Sequence, residues 1–421
     1  MRQLKVSQQL FRIDTIASFA LRLCLSYSGT SRWTSERPAG RQWPELYKAC
    51  SLLLDNSFIR RILRASYSGL YVDEYQDCSA MQHELILRLA RDLPCRLLGD
   101  PLQGIFDFNQ SPVDWERDIS ATFACLGQMQ TPHRWNRAGT PAIGAWLTGV
   151  RDRLENRQPV DLTRDIPRGV GRKPAQEGQL LRIQADTCRY YLCDAEETVI
   201  AIHKGNQEYK SKCHFLAKSV GGRFSSIEEI EGKAVFSFIE TYERAGTNHQ
   251  RLKEIMGFAG ECMTAVNASL PAATLRGEPA NVQDKTRNPL AAKAANAYLA
   301  NPTSSTMAEF LLALKAIDEV KVTRADLFSR VMGILRKHTL HPQLTLGQAA
   351  EKYHAEFRYK GRPTGRRKLI GTTLLVKGLE FDHAIVLDAD SLSRKELYVA
   401  ITRGAKSLTI ISSSPILNPA D

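Results

Sequence analysis

The spacing of apolar positions changes along the chain, and each change marks an element. Between Pro44 and Leu63, the residues Leu46, Cys50, Leu53, Leu54, Phe58, Ile62 and Leu63 recur every three or four positions, which predicts helix. A shorter helical pattern, Phe19, Leu21, Leu23 and Cys24, precedes it across a polar stretch from Ser28 to Gly40 that predicts a loop. At Gly69-Leu70-Tyr71-Val72 the period collapses into a short apolar run closed by Asp73-Glu74, a strand signature. Met81, Leu85, Ile86 and Leu89 restore helical spacing, and Cys95-Arg96-Leu97-Leu98 is a second strand that ends in Gly99-Asp100. Strand, helix, strand, each strand ending in acidic residues, predicts a parallel α/β sheet with its ligands at the carboxyl ends of the strands.

The remainder repeats this rhythm around an interruption. Residues 151–180, rich in Arg, Pro, Gly and Gln, predict a linker. Thr198 to Ile202 predicts a strand, and the pattern returns at Lys368–Gly371, Ala384–Leu387 and Leu408–Ile411. Between them, residues 241–360 are helix-compatible, with an Ala-rich segment at 291–300. The expected plan is a first α/β domain over 1–150, the linker, a second α/β domain made of 181–240 and 361–421, and a helical insertion over 241–360. There is no repeat of fixed period.

Composition narrows the class. The chain has 421 residues, 43 % hydrophobic and 24 % charged, which fits a globular protein and excludes collagen-like, coiled-coil or mainly disordered chains. No apolar run approaches the ~18 residues of a membrane span. The N-terminus carries no secretory apolar core, so a cytoplasmic location and no membrane partner are expected. Nine scattered cysteines without a C-x-x-C pair indicate neither a disulfide framework nor a zinc site. With 57 Lys+Arg against 45 Asp+Glu, the formal charge of +12 points to a polyanionic partner.

Five stretches carry candidate chemistry. Leu70-Tyr71-Val72-Asp73-Glu74-Tyr75-Gln76-Asp77 places adjacent carboxylates at a strand end, where one can hold Mg²⁺ and its neighbour can polarise a water. Leu98-Gly99-Asp100-Pro101-Leu102-Gln103-Gly104-Ile105-Phe106-Asp107-Phe108 offers a glutamine past a strand end and aromatic rings suited to stacking on unpaired bases. Thr131-Pro132-His133-Arg134-Trp135 sets an arginine beside rings, either as a phosphate clamp or as a stacked surface residue. The others are Val376-Lys377-Gly378-Leu379-Glu380-Phe381-Asp382 and Glu396-Leu397-Tyr398-Val399-Ala400-Ile401-Thr402-Arg403-Gly404-Ala405-Lys406. Each alone reads equally as a solvated helix or strand end.

In this order, D-E-x-Q-D, G-D-x-x-Q-x-I-x-x-F, H-R-W, K-G-L-E-F-D and L-Y-V-A-I-T-R-x-A-K resemble the UvrD/Rep-type superfamily-one DNA helicases. The resemblance spans roughly Phe11 to Ile411 and is weak from about 140 to 365. It implies two RecA-like parallel-sheet domains of the P-loop NTPase helicase core, ATP and Mg²⁺ as cofactors, and single-stranded DNA and DNA junctions as partners. By the same resemblance, Asp73 is the Mg²⁺ carboxylate, Glu74 the catalytic base and Gln103 the γ-phosphate sensor. His133 lies near the adenine, Arg134 at the γ-phosphate and Glu380 near the ribose, while Arg403 is the arginine finger. Thr15, Phe108 and Lys377 are the DNA contacts, with the basic run Arg362, Arg366, Arg367 and Lys368 close in sequence to Lys377. The implied activity is ATP hydrolysis coupled to movement on single-stranded DNA.

The sequence departs from that pattern in one central respect. The phosphate-cradling loop G-x-x-x-x-G-K-S/T is absent. The one Gly-Lys pair, Gly232-Lys233, is followed by Ala and lacks the upstream glycine. The expectation is a helicase truncated at its N-terminus, its first domain incomplete and the given chain inactive as an ATPase. The alternative is a degenerate helicase serving as a non-enzymatic DNA-binding or scaffold subunit. A nuclease, repair or phage-defence assembly would be its setting. Leu374 also stands where the family has a histidine before the motif lysine.

Overall fold

A computed structural model describes residues 7, 10–36, 38–105, 112–176, 178–283, 285–360 and 366–420. They form two compact units, Met1–Gln130 and Thr131–Asp421.

The first unit is mainly helical. Helices α1 (Ile16–Ser26), α2 (Gln42–Leu54), α3 (Ser57–Ser66) and α4 (Ala80–Ala90) pack their apolar stripes together, with Leu46, Cys50, Leu53, Ile59, Leu63, Leu85 and Ile86 all buried. Ser79 starts α4 with a reciprocal capping box to Gln82, which satisfies two backbone donors that the first turn leaves open. Strands β1 (Leu70–Val72) and β2 (Cys95–Leu97) pair in parallel, Leu70 opposite Cys95 and Val72 opposite Leu97. Among the described residues they make a sheet of two strands.

The second unit carries a six-stranded sheet, parallel throughout, in the order β4-β9-β8-β5-β7-β6. Its strands are β4 (Val170–Pro174), β5 (Val199–His203), β6 (Ser225–Ser226), β7 (Lys368–Thr372), β8 (Phe381–Val386) and β9 (Gly404–Ser412). Central β5 is buried at every position, as the unbroken apolar run Val-Ile-Ala-Ile predicts for a parallel strand covered on both faces. A short antiparallel pair, β3 (Val160–Asp161) and β10 (Ile416–Leu417), lies apart from that sheet.

Between β6 and β7 runs the helical block, α9 (Lys233–Arg244), α10 (Asn248–Cys262), α11 (Pro289–Ala300), α12 (Ser304–Lys315), α13 (Ala325–Leu340) and α14 (Leu346–Lys360). It follows α5 (His133–Arg137), α6 (Pro141–Glu155), α7 (Leu180–Arg189) and α8 (Gln207–Ser219) in the chain. The block has its own core of Phe238, Leu252, Tyr298, Phe310, Leu311 and Val331. Buried ion pairs fasten it to the segment after β6: Arg324 grips Glu228 with two hydrogen bonds of 2.7 and 2.8 Å, and Arg330 pairs with Asp326 while donating to the Glu229 carbonyl.

Two places differ from the expected plan. The 151–180 stretch contains β4, an edge strand of the large sheet, because Val170 and Arg172 pair with Leu408 and Ile410 of β9. Its Gly-Arg-Lys-Pro composition is that of a protected sheet edge, which looks like a linker in sequence. The boundary between compact units also falls at Gln130/Thr131, so the His-Arg-Trp segment and α6 belong with the large sheet.

Candidate functional site

In the first unit the carboxyl ends of β1 and β2 bring together three of the expected residues. Asp73 and Glu74 follow Val72 directly and are exposed. The Asp73 Oδ1 accepts the Glu74 amide hydrogen at 2.9 Å, and Glu74 sits in the left-handed region at φ +53°. A side chain other than glycine rarely takes that conformation, and such strain gathers at functional positions. On the neighbouring strand end, Gln103 Nε2 donates to Asp100 Oδ2 at 3.0 Å. Gln76 connects the two ends: its Nε2 donates to Glu74 Oε2 at 2.5 Å, and its Oε1 accepts the Asp100 amide hydrogen at 2.9 Å. The motifs D-E-x-Q-D and G-D-x-x-Q contain both Gln76 and Asp100, yet sequence reasoning gave neither a role. Their signal is the strand pairing, which is not visible along one chain.

Thr15 caps α1, accepting the Ser18 amide hydrogen at 3.0 Å. Such a cap contributes about 1 kcal/mol, a structural use that coexists with exposure. Phe108 lies outside the described residues.

In the second unit, α5 docks on the turn between β9 and the preceding helix α15 (Arg394–Ile401). Arg134 Nη1 donates to the Thr402 carbonyl at 2.5 Å, and its Nη2 pairs with Glu380 at 2.7 Å. The Trp135 indole N–H donates to the Gly404 carbonyl at 3.0 Å, and the Thr140 hydroxyl to the Ala405 carbonyl at 2.6 Å. The Arg134 guanidinium lies 5.3 Å from the Trp135 ring centre, which is the stacked arrangement. His133 is exposed on the same helix.

Arg403 is 2 % exposed. Its guanidinium donates to the Val399 and Leu379 carbonyls at 2.9 and 3.2 Å and to the Thr402 hydroxyl at 2.9 Å. Arg134 and Arg403 therefore meet at Thr402, one on its carbonyl and the other on its hydroxyl. Lys377 follows a one-turn helix, Thr373–Val376, and is half-buried. The structure thus joins Arg134 to Glu380 directly and to Arg403 through Thr402.

Hard carboxylate oxygens at a strand end suit Mg²⁺, which is usually held by one or two carboxylates with the rest of its shell from water and phosphate. Among the described residues no group of three or more His, Cys, Asp or Glu forms a metal cage. Asp73 therefore fits a magnesium ion carried by a phosphate ligand. A triphosphate fits less well, because the sequence has no glycine-rich cradle for it.

Residues 44–123 match the sequence model of the UvrD/REP helicase N-terminal domain, a span that includes Asp73, Glu74, Gln76, Asp100 and Gln103. This segment is similar to the N-terminal domain of UvrD/Rep-type helicases. No curated protein matches the sequence. Both acidic strand ends and the Gln76 link between them fall inside the matched region. The Arg134, Glu380 and Arg403 cluster lies outside it. No helix of the described residues is long and apolar enough to cross a membrane.

Proposed function

We propose that the chain is the motor part of an ATP-dependent DNA helicase or translocase of the UvrD/Rep type. The observation that carries this reading is the strand-end group Asp73, Glu74 and Gln103, held in one hydrogen-bonded set inside the matched segment. In this reading Asp73 holds Mg²⁺, Glu74 orients the hydrolytic water, and Gln103 reports on the terminal phosphate. Arg134 and Arg403 supply positive charge against the phosphates, where charge develops during phosphoryl transfer. His133 and Glu380 flank the adenine and ribose. Thr15, Phe108 and Lys377 touch single-stranded DNA. Without a phosphate loop in its sequence, the chain alone hydrolyses ATP at a negligible rate.

One observation favours a second reading, a DNA-binding or scaffold subunit without catalysis. Arg403 spends its donors on protein acceptors, and Arg134 is held by Glu380. A titration of the full chain with a fluorescent ATP analogue and Mg²⁺ separates the two. A motor binds the nucleotide weakly but saturably, and Asp73→Asn and Arg134→Ala each remove that binding. Binding of single-stranded DNA with no nucleotide binding in the parent selects the scaffold.

A further inference from the structure

The geometry assigns to Gln76 the role of a positioning residue that holds the Glu74 carboxylate and ties it, through Asp100, to Gln103. The inference deepens the reading of Glu74 as the base and rests on it. The contacts run in one line across the strand ends. Gln103 Nε2 donates to Asp100 Oδ2 at 3.0 Å, the Asp100 amide donates to Gln76 Oε1 at 2.9 Å, and Gln76 Nε2 donates to Glu74 Oε2 at 2.5 Å. Asp100 is further fixed by accepting the Leu102 amide hydrogen on Oδ1 at 3.2 Å.

The orientation of the Gln76 amide follows from its partners. A backbone N–H can only donate, so the Gln76 atom facing Asp100 is the oxygen. The nitrogen then faces Glu74, where a carboxylate accepts. Gln76 is 7 % exposed while Glu74 is exposed, so a buried donor steers an exposed carboxylate. A charge-assisted hydrogen bond of this kind is stronger than a neutral one and narrows the orientations open to the acid.

A second feature supports the assignment independently. A Cβ at Gly99 would stand 2.7 Å from Gln76 Oε1 and 2.8 Å from the Trp115 ring. The backbone between β2 and Asp100 therefore comes so close to the Gln76 amide that a Cβ there would force the amide or the Trp115 ring to move. The space is shaped around that amide, as a positioning role requires.

Chemically, the arrangement couples two tasks. An anion that draws Gln103 away from Asp100 alters the hold on the Asp100 strand end, and with it the partner of Gln76 Oε1. The Glu74 carboxylate is then released or re-aimed as the anion arrives. The base is thereby made sensitive to occupancy of the sensor without direct contact between the two side chains.

The test reads side-chain amide resonances of the full chain labelled with ¹⁵N-glutamine, assigned with Gln76→Leu and Gln103→Leu. Glu74→Gln changes only an exposed side chain, and it is expected to shift the amide resonances of both Gln76 and Gln103. Gln76→Leu is expected to shift Gln103 and to abolish its response to Glu74→Gln. A Gln103 resonance indifferent to Glu74→Gln overturns the proposal, because a residue that merely packs would not transmit that change. Should Gln76→Leu fail to fold, Gln76→Met in the same buried space supplies the break, and the Glu74→Gln arm needs neither. Adding Mg²⁺ and ATP distinguishes this inference from the reading beneath it. If Glu74→Gln moves Gln103 while nucleotide moves neither amide, the positioning role stands and the nucleotide-hydrolase reading falls.

Discussion

The two units hold parallel sheets of opposite character. In the second, β5 is buried along its whole length between β7 and β8. In the first, β1 and β2 pair only with each other among the described residues, and Tyr71 is 67 % exposed. A two-stranded sheet is marginal alone, so the stability of the first unit comes from its helices, and the sheet rides on them. Charge divides as unevenly. Residues 1–130 hold 15 Lys+Arg against 14 Asp+Glu, whereas residues 131–421 hold 42 against 31. The acidic strand ends thus sit on a nearly neutral, lightly built unit, and the arginines on a basic unit with a deep core. The two units therefore respond to different substitutions.

The largest expected effect lies in the large sheet. Ile200→Ala removes fully buried volume and should cost about 2–5 kcal/mol, read as a lowered urea midpoint of the second unit. Acid comes next. Burial pushes His203 down to about 3, and both its ring nitrogens are buried without a hydrogen-bond partner among the described residues. His214 is likewise pushed down to about 4, mainly by burial. Each imidazole is neutral in the fold and takes up a proton more readily when unfolded. Their contribution is therefore complete above the unfolded value near 6.5 and is lost as pH falls toward the folded values. Lowering the pH from 7 to 5 should cost roughly 2 kcal/mol through His203 alone. His203→Phe should flatten that dependence in urea melts of the second unit.

Smaller effects test the edges of the contrast. Trp135→Phe keeps an aromatic ring but removes the indole N–H that donates to the Gly404 carbonyl, and should cost about 1 kcal/mol in the same melts. Tyr71→Ala on β1 should change stability by no more than ~0.5 kcal/mol, since its ring is solvated and meets mainly Arg96. A large loss at Tyr71 would mean that the small sheet is covered in solution and the contrast is drawn wrongly. Amide exchange sharpens it further: Leu98, whose N–H bonds the Val72 carbonyl, should exchange faster than the amides of β5.

Much of this architecture was legible in the sequence because parallel strands announce themselves by apolar runs. Leu70–Val72, Cys95–Leu97, Val199–His203 and Lys368–Thr372 all lie where such runs stand. β4 was not legible, since Gly171, Arg172 and Lys173 belong to an edge where polarity is protective. β6 was not either, being two serines held by their neighbour β7 and by a backbone bond to Thr323. At the candidate site the motifs pointed to Asp73, Glu74 and Gln103, which the structure sets on neighbouring strand ends. The links among the motifs, Gln76 to Asp100 and Arg134 to Thr402, join residues 24 and 268 positions apart and exist only through the fold.

Binding of single-stranded DNA by the full chain across a salt series is the most direct measurement of whether this chain engages a single strand through the proposed contacts. The parent should bind with log affinity falling linearly in log salt, and Lys377→Ala should flatten that slope by about 0.7, the value of one phosphate contact on a single strand. Phe108→Ala should weaken binding by about 1–3 kcal/mol at every salt concentration with the slope kept. A chain that binds no single-stranded DNA at low salt, or one whose slope is the same with and without Lys377, would contradict it.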